Sequence, residues 1–592
     1  QSTSNLAWRA ARPSSREPRV ASAAHRGALR AAAVSNAQDS SSAPQAAPVL
    51  PLCGAPTLNV SQCVAQSEMA AADPQSLSNV GRRGGPALLL GICALVGSSS
   101  SIRVEPLGPI LQDLHIALWG LAKAIAYGWP LIGVCRSGVL SMHTDFGAQV
   151  ISNIAWAMSR LQCENPPLLA AISAEALPKH TQFYQQELAN TAWALATMLV
   201  LDMPLLNAIS AESLPKRGQY SPQECSNISW AFAKLGMLDI PLRDALSAAA
   251  LSTISDYKAQ NLSNTAWALA ALSLPDTPLL EAISAQSIRI ISDFDPQACA
   301  NSAWAVAKLQ VVDAPLLDAI SAAALAIITD FRTQNISNLV WSFSTLVLMN
   351  DPLFHAIAAS ALRIISAADA QGLSNTAWAF ARLEVRHEPL MAVISSAAIP
   401  KKSDFTGQNI ANTAWACANL EIVFAPLLNA LAAAARAPIQ QLDPQGLANT
   451  SWAYAALEWK HMPLIDALAS SSLRTITLWT PCELSSSAWS YARLGFQHLP
   501  LFHALAAQSS AQLSELTLLD LTNMAWSLDL LDIPALRQLR ASASAGRLDS
   551  FVRAAVSDVQ SHGVEMIHLA NVSFLGRTVL GPCNGSACTP MV

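Results

Sequence analysis

The sequence is poor in charge. Only 13% of its 592 residues are Asp, Glu, Lys or Arg, against 52% hydrophobic ones. Such a chain is too apolar for a disordered polymer and suits packed helices. It also lacks a basic excess: the formal net charge is −5, so no global positive field announces a nucleic-acid partner. The eleven cysteines form no CxxC pair, and no His stands at zinc-ligand spacing from them. No metal is therefore expected, and a reducing intracellular compartment is the simplest setting. Long apolar runs are missing too. PALLLGICALVG at 86–97, the longest near the start, is too short to span a bilayer. The chain is expected to be soluble, with no membrane partner.

Catalytic signatures are absent as well. There is no P-loop, no GxGxxG between a strand and a helix, no HExxH and no GxSxG. The His residues are dispersed, and strand patterns are essentially missing. No catalytic residue, cofactor or small-molecule substrate is expected, and the chain is not read as an enzyme.

What is present is a repeat. Trp stands at 119, 156, 193, 230, 267, 304, 341, 378, 415, 452, 489 and 526, always 37 residues apart. Asn precedes the Trp by three residues from Asn153 to Asn449 and again at Asn523, with Ser486 the exception among them. Pro follows the Trp by eleven, from Pro130 to Pro500, and Leu comes directly after it. Gln precedes the Trp by seven from Gln149 to Gln445. An aromatic often precedes it by ten, as at Phe146, Phe183, Tyr220, Tyr257, Phe294, Phe331, Phe405 and Trp479.

One unit, starting at Asp293, shows how the pattern folds. Asp-Phe-Asp-Pro is a turn that opens a first helix over about 297–309. Pro315 then opens a second helix, with Asp313 placed to cap it. His387, His461 and His498 occupy that same capping register, nine after a Trp, so capping is their expected role rather than metal binding or catalysis. Neither helix can bury its apolar face alone, so the units must stack. The fold class is all-α, an α-solenoid of about ten to twelve two-helix repeats over 107–535.

The flanks differ. Residues 1–70 are a low-complexity Ala/Ser/Arg/Pro segment whose first 40 residues hold six Arg and two acids. An organellar transit segment and a plain linker fit it equally. Trp8, three repeat lengths before Trp119, keeps the register even there. Residues 71–106 read as a degenerate or irregular segment, and 536–592 as an irregular tail, cut short or ending without a further domain.

On a helical wheel with Trp at 0°, large apolar residues two and five after it and five before it, such as Leu269, Leu272 and Leu262, fall between about 140° and 220°. They are expected to pack on the second helix of the same unit. Ala and Ser fill the flanks, where neighbouring first helices approach. A third stripe, near 0–60°, holds the Gln, the Asn, the Trp and the residue four after it. That last residue is basic at Lys123, Arg160, Lys234, Lys308, Arg382 and Arg493. Two readings of this stripe remain open. The Trp wedges between units and the Asn bonds a neighbour's backbone. Otherwise the stripe lines a groove that offers an aromatic, an amide and often a cation to each unpaired base. On the second reading the RNA-binding candidates are those six cations with Asn190, Asn227, Asn264, Asn301, Trp193, Trp230, Trp267 and Trp304.

The unit PQxLxNxAWAxAxL…PLLxAI resembles the octotricopeptide and FAST-kinase-like leucine-rich helical repeats, and the helical-repeat subunits of the RNA-editing substrate-binding complex. The likeness covers about 107–535. It implies an RNA-binding factor of mitochondria or plastids, acting in transcript stability, processing, editing or ribosomal RNA maturation. Single-stranded RNA and the proteins of an RNA-processing complex are the implied partners, and the mitochondrial matrix the implied location, with plastid stroma the alternative. Two departures stand out. The 37-residue period is slightly short of the octotricopeptide length, and 540–592 shows none of the acidic pattern of the RAP domain that often follows such repeats.

Charge favours a rival. Between 146 and 531, 19 Lys and Arg stand against 29 Asp and Glu, a net of −10. Phosphate binding draws on local cations, whereas an Asn and Trp ladder in an acidic groove is similar to armadillo repeats that receive extended basic peptides. A protein-interaction scaffold of that kind is the alternative function.

Overall fold

The computed structural model describes residues 147–160, 166–435 and 438–531. The segments 1–70, 71–106 and 536–592, the repeat around Trp119, and Lys123 lie outside the described residues. Every regular element among the described residues is an α-helix or a short 3-10 turn. Where the sequence predicts one array, the chain divides into two units between Ala249 and Ala250, while the repeat register continues through that point.

The first unit holds α1 (Ala148–Arg160), α2 (Pro166–Lys179), α3 (Gln185–Thr197), α4 (Met203–Ser213), α5 (Pro222–Lys234) and the start of α6 (Ile240–Thr253). The second holds the end of α6, then α7 (Ala259–Ala271), α8 (Thr277–Arg289), α9 (Pro296–Lys308), α10 (Ala314–Ala326), α11 (Thr333–Thr345), α12 (Asp351–Ile364), α13 (Ala370–Arg382) and α14 (Glu388–Ala398). It continues with α15 (Gly407–Asn419), α16 (Ala425–Ala435), α17 (Pro444–Ala456), α18 (Met462–Thr475), α19 (Pro481–Arg493), α20 (Leu499–Ala511) and α21 (Leu518–Leu530). Odd-numbered helices carry the Trp; even-numbered helices follow the Pro-Leu step.

Local chemistry sets each boundary. Asp295 Oδ1 accepts from the Ala298 N–H at 2.7 Å and starts α9, with Pro296 in its first turn. Thr406 and Asn409 cap each other at the start of α15. First helices end in a left-handed residue six after the Trp. Gly236 and Gly495 suit it, but Leu199, Ser273, Gln310, Val347, Glu384, Glu421 and Glu458 adopt the same positive φ. The next N–H then bonds back to the residue two after the Trp, as Leu348 does to the Phe343 carbonyl at 2.9 Å. This paired closure satisfies carbonyls that the helix end would otherwise strand.

Second helices are capped as expected. Asp202, Asp239, Asp276, Asp313 and Asn350 each accept the backbone N–H three residues on, at 3.0–3.2 Å. His387, His461 and His498 do the same through Nδ1, at 3.1–3.2 Å.

Packing is built on the first helices. In the first unit α3 lies against both α1 and α5, and in the second unit each odd-numbered helix from α7 to α21 packs broadly on the next. Successive second helices touch far less. The small residues explain the difference. Ser263, Ala266, Ala268 and Ala270 are all buried on α7, and close approach leaves room for direct bonds between helices. Ser344 Oγ donates to the Ala379 carbonyl at 2.9 Å, and Asn419 Nδ2 to the Ala381 carbonyl at 2.7 Å. As a result α9 is enclosed on all sides, with every residue from Ala298 to Ala307 buried.

First helices of the second unit touch the second helix of their own repeat, as expected, and one contact is added. At Phe380 and Tyr454 the large residue two after the Trp also reaches the second helix of the preceding repeat. Phe380 meets Phe354 of α12 edge-on at 5.3 Å, and Tyr454 Oη donates to the Leu428 carbonyl of α16 at 2.6 Å. The tight first-helix spacing brings the earlier α-helix within reach, so this face stitches repeats together rather than closing one repeat alone.

Candidate nucleic-acid interface

The third stripe begins at the Trp. In the second unit Trp267, Trp304, Trp341, Trp378, Trp415, Trp452 and Trp489 are 0–4% exposed, as is Trp230 in the first unit. Rings from successive repeats stack on each other: Trp267 and Trp304 lie 6.0 Å apart and 25° from parallel, Trp489 and Trp526 6.5 Å and 29°. Trp193 and Trp230 stand 6.4 Å apart at 33°, with Trp193 half-buried. This corrects the groove reading for Trp230, Trp267 and Trp304. Their faces are spent on neighbouring rings and helices, and no base can stack on them. Trp193 alone among the four named is only half-buried. Sequence periodicity could not decide this, because a stripe on one helix says nothing of how close the next helix comes.

The indoles are also incompletely bonded. Nε1 of Trp304, Trp341, Trp378 and Trp415, four successive repeats, is buried without a hydrogen-bond partner. Each such N–H typically costs about 1–3 kcal/mol relative to a bonded one.

The Asn row divides in the same way. Asn190 and Asn227 in the first unit are half-buried, while Asn264 and Asn301 in the second are buried. Asn264 Oδ1, Asn412 Nδ2 and Asn449 Oδ1 have no partner, so these amides leave bonding capacity unused. The task of holding neighbouring backbone falls to other positions. Gln286 Nε2 donates to the Ser255 and Tyr257 carbonyls at 3.1 and 3.4 Å, Lys216 Nζ to the Phe183 carbonyl at 2.5 Å, and Lys401 Nζ to Ser366 at 2.7 Å and to Ala368. Gln286 thus ties a second helix, and Lys216 and Lys401 the turn just after one, to the turn that precedes the first helix of the same repeat.

The two ends of the stripe reach solvent. The Gln residues seven before the Trp are exposed at Gln186, Gln223, Gln334 and Gln408 and half-buried at Gln371. At the other end Arg160 and Arg493 are exposed, and Lys234, Lys308 and Arg382 half-buried, each the last residue of its helix, where the dipole favours a cation. Burial holds the Lys234 ammonium below the usual lysine range. Arg493 is engaged, its Nη2 lying 2.6 Å from Glu458 Oε1 of the preceding repeat.

A cleft opens between the N-terminal ends of α13 and α15, with a volume of about 420 Å³. Asn375 and Asn412 form its inner wall, and Asp369, Asp404 and Gln408 its exposed rim. Sequence reasoning placed Asn375 and Asn412 in the stripe but did not single them out. A signal for the cleft was present: Ala368 lines it and stands ten before Trp378, where adjacent repeats carry Phe331 and Phe405.

Metal ligands do not gather. Among the described residues no cluster of three His, Cys, Asp or Glu could hold an ion, and no helix is long and apolar enough to cross a membrane. Cys225, Cys299 and Cys417 are buried and in no disulfide, and burial pushes the Cys299 and Cys417 thiols up to about 12.

Residues 127–276, 226–322 and 278–402 match, in three overlapping stretches, the family model of the RNA-editing substrate-binding complex 6 protein. The repeats are similar to that family. It is a family of RNA-editing complex proteins, and of the resemblances named from the sequence it is the one matched. No curated protein matches the chain. Solved structures that match include a homology model of the full-length AP-3 complex in an intermediate open conformation, at 10% identity, covering 93% of this chain and 99% of that one, with a TM-score of 0.28. That score is too low to carry a structural argument.

Proposed function

We propose that this chain is a single-stranded RNA-binding helical-repeat protein that serves an RNA-editing or RNA-processing assembly and has no catalytic role of its own. The observation that carries the proposal is the family match across 127–402. The exposed ends of the stripe support it, with a Gln near the start of the first helices from α1 to α17 and a cation at the end of α1, α5, α9, α13 and α19. The mitochondrial matrix is the proposed location, and plastid stroma the alternative. The Arg-rich, acid-poor first 40 residues support an organellar address.

Burial of the Trp rings changes the mechanism. RNA is held by cations and amides at the stripe's ends, not by stacking on a Trp ladder. Titrating a single strand of about 12 nucleotides against salt tests this. Each phosphate contact contributes about 0.7 to the slope of log K against log salt. Lys234→Ala, Lys308→Ala and Arg382→Ala together should therefore lower the slope by about 2. Absence of binding at low salt, or a slope unmoved by the triple variant, would sink the proposal.

The net charge of −10 over 146–531 favours a second reading, a scaffold for basic peptides. The buried Trp rings weigh against an armadillo-like version of it, because the rings are not open to clasp a peptide side chain. Affinity capture that returned proteins and no RNA would favour the scaffold.

A further inference from the structure

We propose that the cleft between α13 and α15 is a nucleobase-reading site that takes one unpaired base edge-first. This rests on the RNA reading above and gives it a point of sequence discrimination. Three observations converge. The cavity of about 420 Å³ lies where Ala368 replaces the aromatic that Phe331 and Phe405 supply in adjacent repeats. Its inner wall carries two carboxamides, Asn375 at 4% and Asn412 at 6% exposure, and Asn412 Nδ2 has no partner in the protein. Its rim carries the carboxylates of Asp369 and Asp404. Asp369 Oδ1 is engaged by the Gly372 N–H at 2.7 Å, whereas Asp404 Oδ1 accepts only a long bond from Ser403 Oγ at 3.2 Å.

The chemistry selects the ligand's presenting group. Carboxamides on the inner wall and carboxylate acceptors at the rim complement a flat edge bearing both acceptors and N–H groups, which is what an unpaired base offers. Two carboxylates at the mouth outnumber the one ammonium that lines it, Lys401, whose Nζ also donates to the Ser366 and Ala368 carbonyls, so the net charge there disfavours phosphate. The sugar–phosphate chain therefore runs outside the cleft, and only the base enters.

Fluorescence anisotropy with the full chain and four single-stranded homopolymer RNAs tests the site. Asn412→Leu removes the inner amide at similar volume, and Asp404→Asn changes the exposed rim without threatening the fold; circular dichroism checks both. Discriminating contacts of this type change relative affinity by about 5- to 100-fold. Each variant is expected to shift the ratio of affinities among the four RNAs by at least about fivefold, with the salt slope unchanged. Equal weakening toward all four, or ratios that do not move in Asp404→Asn, would overturn the base-reading assignment while leaving RNA binding intact. Wild-type chain that binds none of the four at low salt would overturn both. Displacement of RNA from wild type, but not from Asp404→Asn, by an uncharged Gly-Ser peptide would assign the cleft to peptide backbone instead.

Discussion

Substituting Gly495 by Ala should destabilise the last described repeats even though the added methyl touches nothing. Gly495 has φ +68°, and a Cβ built there meets no atom within 4 Å. The cost is therefore conformational. A left-handed L-residue costs about 1–2 kcal/mol. Ala recovers about 0.4–1 kcal/mol by restricting the unfolded chain. The net loss is about 0.5–1 kcal/mol, or about two- to fivefold in the local opening equilibrium. The converse change belongs at Ser273, an exposed residue with φ 55° at the same register. Ser273→Gly relieves the strain at little loss of contact and should stabilise by a similar amount. Hydrogen exchange resolved by mass spectrometry suits a repeat protein, where one global unfolding energy is poorly defined. The amides to follow are Phe496, bonded to the Tyr491 carbonyl, and Leu274, bonded to Leu269, both at 2.9 Å. Protection should fall at the first in Gly495→Ala and rise at the second in Ser273→Gly. Equal protection in Gly495→Ala and wild type, or a loss in Ser273→Gly, would refute the claim that these caps store backbone strain.

Other outcomes follow from the packing. Trp378→Ala removes a ring 1% exposed and should cost about 3–5 kcal/mol, read as increased exchange across α13 and its neighbours α11 and α15. His461→Ala deletes the Nδ1 cap of α18 and should cost about 1 kcal/mol, whereas His461→Asp, the residue other repeats use there, should largely restore exchange protection in the first turn. Cys299 and Cys417 should resist a thiol reagent at pH 8 in the native chain, while half-exposed Cys482 reacts; rapid labelling of all three would contradict the burial. The sign of the pH effect follows from the same two thiols. Folding holds them neutral up to about 12, the unfolded chain ionises them from about 9, and so stability present below pH 9 should decline as pH rises further in a urea titration.

Local rules were readable from the sequence because they act within a few residues. The 37-residue Trp step, the helix start at Asp295-Pro296, the caps at Asp313 and at His387, His461 and His498, and the two-helix repeat all rest on spacing and hydrogen-bonding chemistry that neighbours in sequence supply. Composition likewise suited packed helices, which are what the described residues form. What the stripe does was not readable. Asn264, Asn301, Trp267 and Trp304 share a helix face whether that face meets solvent or another helix. Only the approach of the next first helix, permitted by residues such as Ala266 and Ala268, buries them. The same proximity sends Phe380 to the preceding repeat's α12. It also leaves a cleft at Ala368, because a cavity depends on what two successive turns fail to fill. Sequence determined the periodic parts; tertiary structure decided which of them still face outward, because burial is set by distances between helices that no single helix encodes.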